Sequence, residues 1–349
     1  MHLKYRNVNE AFCDLVSKIH TETIPVERTS SRVGEILTIN EPVIITYRNP
    51  TERVLFNTAR ACNPFFHIYE SLWMLAGRDD LAPLEYYVPS FKNYSDDGKG
   101  LWGAYGYRWR HHFDIDQINT VIKELKKDPK SRRCVIGMWD PEIDLEKAVS
   151  GGKDVPCNIS ICFRIETGNV LTMTVFNRSN DMVWGMLGAN VVHMSFLHEY
   201  VCQSLGCMMG DYNQISNNLH VYTENWRPEE WLGVEYVDWY SRKDKDIIQI
   251  PLLTADNQGE FDRENTVFTS MYASKDSALG ARHTSWDNEF LGTVAKPALT
   301  AYAHYKEGPK DVRNIENAIR QIVNIRSDDW RVACHEWMYS RFLKLTEGK

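Results

Sequence analysis

Several things are missing from this 349-residue chain, and each absence closes off a class of function. No apolar run approaches the roughly 18 residues that a bilayer span needs, so no membrane segment is expected. The opening stretch, "MHLKYRNVNEAFCDLV", lacks the apolar core of a secretory leader, which sets the expectation of a cytoplasmic protein. Positive charge is not in excess either. At a formal net charge of -7, no global basic field draws the chain to nucleic acid or anionic lipid, and any bound anion must be held by a local cluster of arginines. Glycine-rich phosphate loops are absent, because "GEIL" and "GKGLWGAYG" fit neither the P-loop nor the dinucleotide pattern. There is no internal repeat and no Gly/Ser/Pro-rich linker dividing the chain.

Cysteine is present but unpaired in pattern. The residues at 13, 62, 134, 157, 162, 202, 207 and 334 make no CxxC and no Cys/His spacing, so no metal site is expected. In a reducing compartment most of them are small buried groups with reduced thiols.

What is there reads as an ordinary globular protein, 43% hydrophobic and 25% charged, long enough to bury a substantial core. "NPFFHIYESLWMLAG" (63–77) has the spacing of a buried helix with Gly77 as its stop. "DIDQINTVIKELKKDPKS" aligns Ile115, Ile118, Val121, Ile122 and Leu125 on one helical stripe. "RRCVIGMWD" predicts a strand, and "NISICFRIETGNVLTMTVFNRS" predicts two strands joined by a hairpin through "ETGN". "ANVVHMSFLHEYVCQSLGCMMGD" predicts a long apolar helix closed near Gly206. Residues 228–285 are polar and turn-rich, and a helical tail follows with Val312, Ile315, Ile319, Ile322 and Val323 on one face. Helices and strands mix without regular βα alternation, which predicts an α+β fold.

Two cysteines stand in "GGKDVPCNISICFRI" (151–165). Extended chain places them roughly 16 Å apart and on opposite faces, so they cannot form a local disulfide. Cys162, between Ile161 and Phe163, is expected in the core. Cys157 follows Pro156 where a polar loop enters a strand, a position from which a thiol can face a cavity. Downstream, "FNRSNDMVWGMLGANVVH" packs Asn177, Arg178, Ser179, Asn180, Asp181 and Asn190 around one strand-to-helix connection. "NNLHVY" sets His220 and Tyr222 on one face of an extended segment. Further arginines open "ERTSSR" (Arg28, with Arg32 as an ordinary surface charge) and "SRRC" (Arg132, Arg133). Several fork-like donors at separate strand ends suit a phosphate monoester better than a carboxylate. A cysteine hydrolase using His193 or His220 would leave these arginines without a purpose.

The order "ERTSSR", "FFHIYESLWMLAG", "WGAYGYRWR", "DQINTVIKELKKDPKSRR", "VPCNISICFRI", "NRSNDMVWG", "GD…LHVY" resembles thymidylate synthase and its relatives, the pyrimidine nucleotide hydroxymethylases, over roughly residues 20–226. The resemblance implies an α+β fold on a large bent mixed sheet, in a homodimer formed sheet to sheet. It also implies a catalytic core over 1–227 and a C-terminal extension over 228–349 packed on that core. A bacterial or phage-infected cytoplasm is the implied location.

The family reaction moves a one-carbon unit from 5,10-methylenetetrahydrofolate to C5 of a pyrimidine nucleotide, with no metal. Carbon 5 becomes nucleophilic only after a thiolate adds at C6, and the resemblance gives that role to Cys157, with Arg178 as the cation keeping it ionised. Glu70 in "YESLW" matches the carboxyl that relays protons through water, a task suited to a buried acid on an apolar helix face. Tyr105 matches the tyrosine that positions water at C5. Arg28, Arg178 and Ser179, with Arg132 and Arg133 from the other subunit, match the phosphate site. His220 and Tyr222 match the pair that bonds the sugar hydroxyl. Asp181 matches the carboxylate on the pterin ring and a participant in catalysis, and Gly185 the glycine against which that ring packs.

Three departures bear on the product. Asn158 stands where synthases carry histidine. Phe91 and Tyr94, in "SFKNYSDD", stand where synthases carry two tryptophans. The chain ends "SRFLKLTEGK" instead of in a short apolar seal. Methylation needs a site closed to water, so these changes favour hydroxymethylation over synthesis of dTMP. Ala189 falls at the family spacing for the residue that reads the base, and Asn190 falls there if one residue is inserted. An asparagine favours dUMP and leaves dCMP open, with CMP the third choice.

Overall fold

The computed structural model describes residues 1–254, 257–307 and 311–347. Contacts divide the chain into two compact units, one of residues 1–60 and 108–238, the other of 61–107 and 239–349. This division differs from a boundary at 227/228, because the chain enters the second unit at residue 61, leaves it after 107 and returns at 239.

All ten strands among the described residues belong to the first unit. They are β1 (His2–Tyr5), β2 (Glu27–Ser31), β3 (Gly34–Thr38), β4 (Val43–Tyr47), β5 (Val135–Gly137), β6 (Asn158–Glu166), β7 (Val170–Asn177), β8 (Asn180–Asp181), β9 (Met208–Ser216) and β10 (Leu219–Tyr222). A six-stranded mixed sheet runs β1-β4-β9-β7-β6-β5, and a four-stranded sheet runs β2-β3-β10-β8. The β6–β7 hairpin turns through Gly168 and Asn169, both at positive φ, as the "ETGN" signal predicts. Register shifts at Asn158/Ser160 and at Leu171/Met173 break the ladder, and such bulges bend a strand and re-aim its side chains.

Ile161, Phe163, Met173, Val175 and Tyr212 are buried on one face of the large sheet. Cys162 alternates away from Ile161 and Phe163. It is only half-buried, paired in register with Thr174 and with Val135, which is 47% exposed. The expectation of a core residue is therefore corrected: flanking apolar groups in a strand face the opposite side.

Helix Asn190–Leu205 packs on β9, and helix Gln117–Lys127 packs on that helix in turn. Its central residues, Val191 to Cys202, are buried on every side, as the long apolar pattern predicts. Gly206, at φ 64°, closes it. Ile115 precedes the Asp116 cap of helix Gln117–Lys127 and is exposed, so it does not join the stripe.

The second unit is helical. Eleven residues of the helix Pro64–Leu75 are buried; Asn63 caps it, its side chain accepting from the Phe66 N–H, and Pro64 opens it. Around it lie helices Gln258–Met271, Lys296–Tyr305 and Asp328–Glu347. Tyrosine hydroxyls tie these together: Tyr69 donates to the Thr269 carbonyl at 2.8 Å, Tyr87 to that of Tyr272 at 2.9 Å, and Tyr302 to that of Tyr87 at 2.9 Å. Asn265 donates to the Leu72 carbonyl at 2.9 Å. Within the stretch expected to be turn-rich, 233–254 is mostly irregular, but Gln258–Met271 and Lys275–Ala281 are helices, the latter opened by a Ser274–Ser277 capping box. In the tail helix Val312–Ile322, Ile315, Ala318 and Ile322 are buried, while Val323 lies beyond its end and is exposed.

Candidate active site

Cys157 occupies the turn that leads into β6. Its carbonyl accepts the backbone N–H of Arg178 at 2.9 Å. The Arg178 guanidinium donates to the Pro156 carbonyl through Nε and to the Val155 carbonyl through Nη2, each at 2.9 Å. Trp139 lies under the same guanidinium, 5.9 Å from ring centre to Cζ. One arginine at the end of β7 thus pins three successive residues of the turn that delivers the thiol. Burial pushes the Cys157 thiol above its ordinary value, and Asp154 and Asp181 add to the rise; Arg178 pulls the other way. Arg178 thus acts in the expected direction, toward the thiolate, with burial the larger and opposing influence.

Asn158, next in the chain, is fully buried and donates from Nδ2 to Asn177 Oδ1 at 3.2 Å. Its own Oδ1 is buried and makes no hydrogen bond among the described residues.

The parallel ladder of β8 and β10 sets Asp181 beside His220. Asp181 accepts the Trp184 N–H at 2.5 Å, which caps the following turn, while its Oδ2 is buried and makes no hydrogen bond among the described residues. Burial raises the Asp181 carboxyl above the usual carboxylate range, and it lowers His220 below the usual imidazole value; each group's charge tempers the other's shift. His220 Nδ1 lies 3.1 Å from Asn218 Oδ1, and its ring stands edge-on to Tyr222 at 5.2 Å. Ser179 is half-buried between Arg178 and Asn180.

Met182–Ala189 winds as a π-helix, with a kink at Gly188. That wider turn accommodates one residue more than an α-helix of the same rise. Asn190 begins the next helix, and its Nδ2 donates to Asn180 Oδ1 at 3.0 Å. Gly185 lies against this contact: a Cβ there would come 2.7 Å from Asn180 Oδ1 and 3.1 Å from Asn190 Nδ2. Of the two candidates for reading the base, Asn190 has the side chain that reaches β8, and Ala189 has nothing to offer a polar edge.

Arg28 is exposed on β2 and pairs with Glu35 Oε2 at 3.0 Å. Arg132 and Arg133 are exposed ahead of β5, Arg133 pairing with Glu124 at 2.9 Å. Glu70, Phe91, Tyr94 and Tyr105 belong to the second unit. Glu70 is buried on the helix Pro64–Leu75. Phe91 packs 5.2 Å from Phe66 and 5.7 Å from Tyr94, whose ring is largely exposed. Tyr105 opens a short helix whose next residue, Gly106, is jammed against the helix of Glu70: a Cβ would fall 2.0 Å from the Met74 carbonyl oxygen. Only glycine permits that approach.

Sequence reasoning missed a set of polar residues behind this site. Asn180 donates from Nδ2 to Gln214 Oε1 at 2.6 Å and to Ser216 Oγ at 3.2 Å, and all three are buried. Gln214 and Ser216 follow Gly210 and Tyr212 on the buried face of β9, where a polar residue needs a partner. Arg60 was missed as well; it stacks over the exposed Trp184 at 3.9 Å and donates to the Val183 carbonyl at 3.2 Å. No group of three or more His, Cys, Asp or Glu placed to hold a metal occurs among the described residues, and no helix among them is long and apolar enough to cross a membrane.

Comparison with known proteins matches residues 10–232 to the thymidylate synthase family model. A deoxyuridylate hydroxymethyltransferase of Pseudomonas phage M6 is 38% identical over 348 residues, covering 97% of this chain and 94% of that protein. A deoxyuridylate hydroxymethyltransferase of Bacillus phage SP01 is 34% identical over 227 residues, 62% of this chain and 57% of that protein. A putative thymidylate synthase of Methanothermobacter marburgensis is 35% identical over 144 residues, 41% of this chain and 60% of that protein.

Proposed function

The chain belongs to the thymidylate synthase family, and from that premise we propose that it installs a hydroxymethyl group on C5 of deoxyuridylate. One observation carries the chemistry: a half-buried thiol, Cys157, held at a strand mouth by Arg178, with Asp181 and His220 paired on the neighbouring ladder. The choice of product and base follows the phage M6 relative, which aligns with nearly the whole chain.

In this reading Arg28, Arg178 and Ser179 hold the nucleotide phosphate, with Arg132 and Arg133 supplied by a second copy of the chain. His220 and Tyr222 bond the sugar hydroxyl, and Asn190 reads the base. The Cys157 thiolate adds to C6, and the C5–C6 electron pair moves onto the carbonyl edge, making C5 a nucleophile. Arg178 favours the thiolate in that step, against the burial that pushes the thiol's pKa up. Methylenetetrahydrofolate supplies a one-carbon unit at the oxidation level of formaldehyde. Asp181 fits its pterin ring, since the buried, unbonded Oδ2 is an acceptor for ring N–H groups, with Gly185, Phe91 and Tyr94 as the walls. Glu70, with Tyr105, moves the C5 proton through water. Carbon 5 attacks the one-carbon unit to form the new C–C bond, and loss of the C5 proton expels tetrahydrofolate and leaves an exocyclic methylene. Water adds to that methylene, and the electron pair returning from the carbonyl edge restores the C5–C6 double bond and expels Cys157 as the thiolate.

The second copy docks on the outward face of the large sheet. Ser160, Cys162, Thr174, Phe176, Asn213 and Ile215 retain exposure there, which supports the sheet-to-sheet pairing expected of the family.

Incubating the enzyme with methylenetetrahydrofolate and dUMP, dCMP or CMP tests the reading by mass spectrometry of the nucleotide and absorbance of the folate. Hydroxymethyl-dUMP with tetrahydrofolate is expected. Thymidylate with dihydrofolate would replace hydroxymethylation by methylation, and no product from any of the three would sink the proposal.

A further inference from the structure

We propose that Asn180, backed by Gln214 and Ser216, is a positioning residue that locks the carboxamide of Asn190 in one orientation and thereby makes the site choose uracil over cytosine. This deepens the function proposed above and rests on Asn190 as the residue that meets the base.

The two bases differ along one edge. Uracil presents an N–H donor at N3 and a carbonyl acceptor at C4, whereas cytosine presents an acceptor at N3 and an amino donor at C4. A carboxamide carries one acceptor and one donor group, so it matches either base, and the two matches differ by a half-turn of the amide. An asparagine that turns freely discriminates poorly. Selection therefore depends on what holds the amide from behind.

Here the hold is explicit. Asn190 Nδ2 donates to Asn180 Oδ1 at 3.0 Å, and turning Asn190 over would set two carbonyl oxygens against each other. Asn180 cannot turn alone in response, because its Nδ2 is committed to Gln214 Oε1 at 2.6 Å and Ser216 Oγ at 3.2 Å. Gly185 packs so close to the Asn180–Asn190 contact that even a methyl group would collide with it. Reversing the setting requires Gln214, Asn180 and Asn190 to invert together, the first two of them buried. Gln214 Nε2 is itself buried without a hydrogen bond among the described residues, which leaves it available to an acceptor introduced at position 180.

The measurement is the ratio of kcat/KM for dUMP to that for dCMP, which cancels any change in the fraction of folded enzyme. N180L removes the acceptor that Asn190 needs, and the ratio should fall at least about tenfold. N180D keeps an oxygen for Asn190, and Gln214, whose Nε2 has no other bond to lose, turns over to donate to the second oxygen, so its ratio should stay near that of the wild type. Q214L breaks the same relay one step further back and should lower the ratio even where N180L does not fold. A selective wild type whose ratio survives both N180L and Q214L overturns the lock alone, as does an N180D enzyme that loses selectivity. A wild type that turns over neither nucleotide overturns the functional reading and the lock together.

Discussion

Arg178 grips the turn of Cys157 from two sides, its backbone N–H on the Cys157 carbonyl and its guanidinium on the carbonyls of Pro156 and Val155, all at 2.9 Å. Its charge favours the thiolate, while two of its five guanidinium N–H donors are spent on holding the backbone. Position and ionisation are therefore separable. The arginine places the sulfur, while burial keeps it a thiol until something else changes the local field.

Alkylation of Cys157 by iodoacetamide should accordingly be slow at neutral pH and climb through the alkaline range. The thiolate is the reacting species, and a raised pKa moves its formation upward in pH. R178Q removes the cation that opposes this rise, so its alkylation should be slower at any given pH, by about tenfold for each unit of further rise. Peptide-resolved mass spectrometry against pH distinguishes Cys157 from the other cysteines. A plateau already reached at neutral pH would show that burial does not dominate.

Much of this fold can be read from local signals, because they act over a few residues. The Gly168–Asn169 turn and the Gly206 stop are set by left-handed backbone that few side chains tolerate, and the Asn63–Pro64 start by a side-chain cap followed by a residue that needs no N–H partner. What escapes is non-local. Nothing within residues 61–107 announces that their helices pack with 239–349 rather than with the strands that flank them in sequence. Cys162 misleads because its apolar neighbours signal the core on the other face of the strand. At the site, Asn190 is legible only as an insertion, and the π-helix Met182–Ala189 is the physical form that such an insertion takes. The Asn180–Gln214–Ser216 relay is not legible at all, since amides in strands read equally well as solvated surface.

Replacing Cys157 by alanine should abolish turnover while dUMP still binds, since the phosphate and sugar contacts do not pass through the sulfur. Glu70→Gln should leave binding intact too, and lower kcat by about 10²- to 10⁴-fold, the range typical of a lost proton relay. Isothermal titration and single-turnover kinetics separate the two effects. An E70Q enzyme of undiminished kcat would remove Glu70 from the mechanism.

Stability has a separate centre in the first unit. Arg108 donates to both oxygens of Asp144 at 2.7 Å and to the Met138 carbonyl at 2.6 Å, with neither charged side chain exposed at all. Asp144→Ala takes the carboxylate away from a buried guanidinium, which costs about 3–5 kcal/mol. Urea denaturation should show the midpoint fall accordingly, whereas Glu35→Gln, in the exposed pair with Arg28, should leave it nearly unmoved. Equal small effects from both variants would mean that Arg108 finds another partner.

The cross-subunit role of Arg132 and Arg133 can be tested without a structure of the assembly. C157A lacks a nucleophile in both sites of a homodimer, and R132A/R133A lacks the donated arginines in both, so each should be inactive alone. In a hybrid, the chain carrying R132A/R133A still has Cys157 and receives intact arginines from the C157A chain. One complete site results, and random exchange of subunits should restore roughly a quarter of wild-type activity. Arginines acting within their own chain give a different outcome, because every site in the mixture then lacks either the thiol or its own arginine pair. Activity that stays absent after subunits have demonstrably exchanged would place Arg132 and Arg133 in cis, and would take the borrowed phosphate contacts out of the proposal.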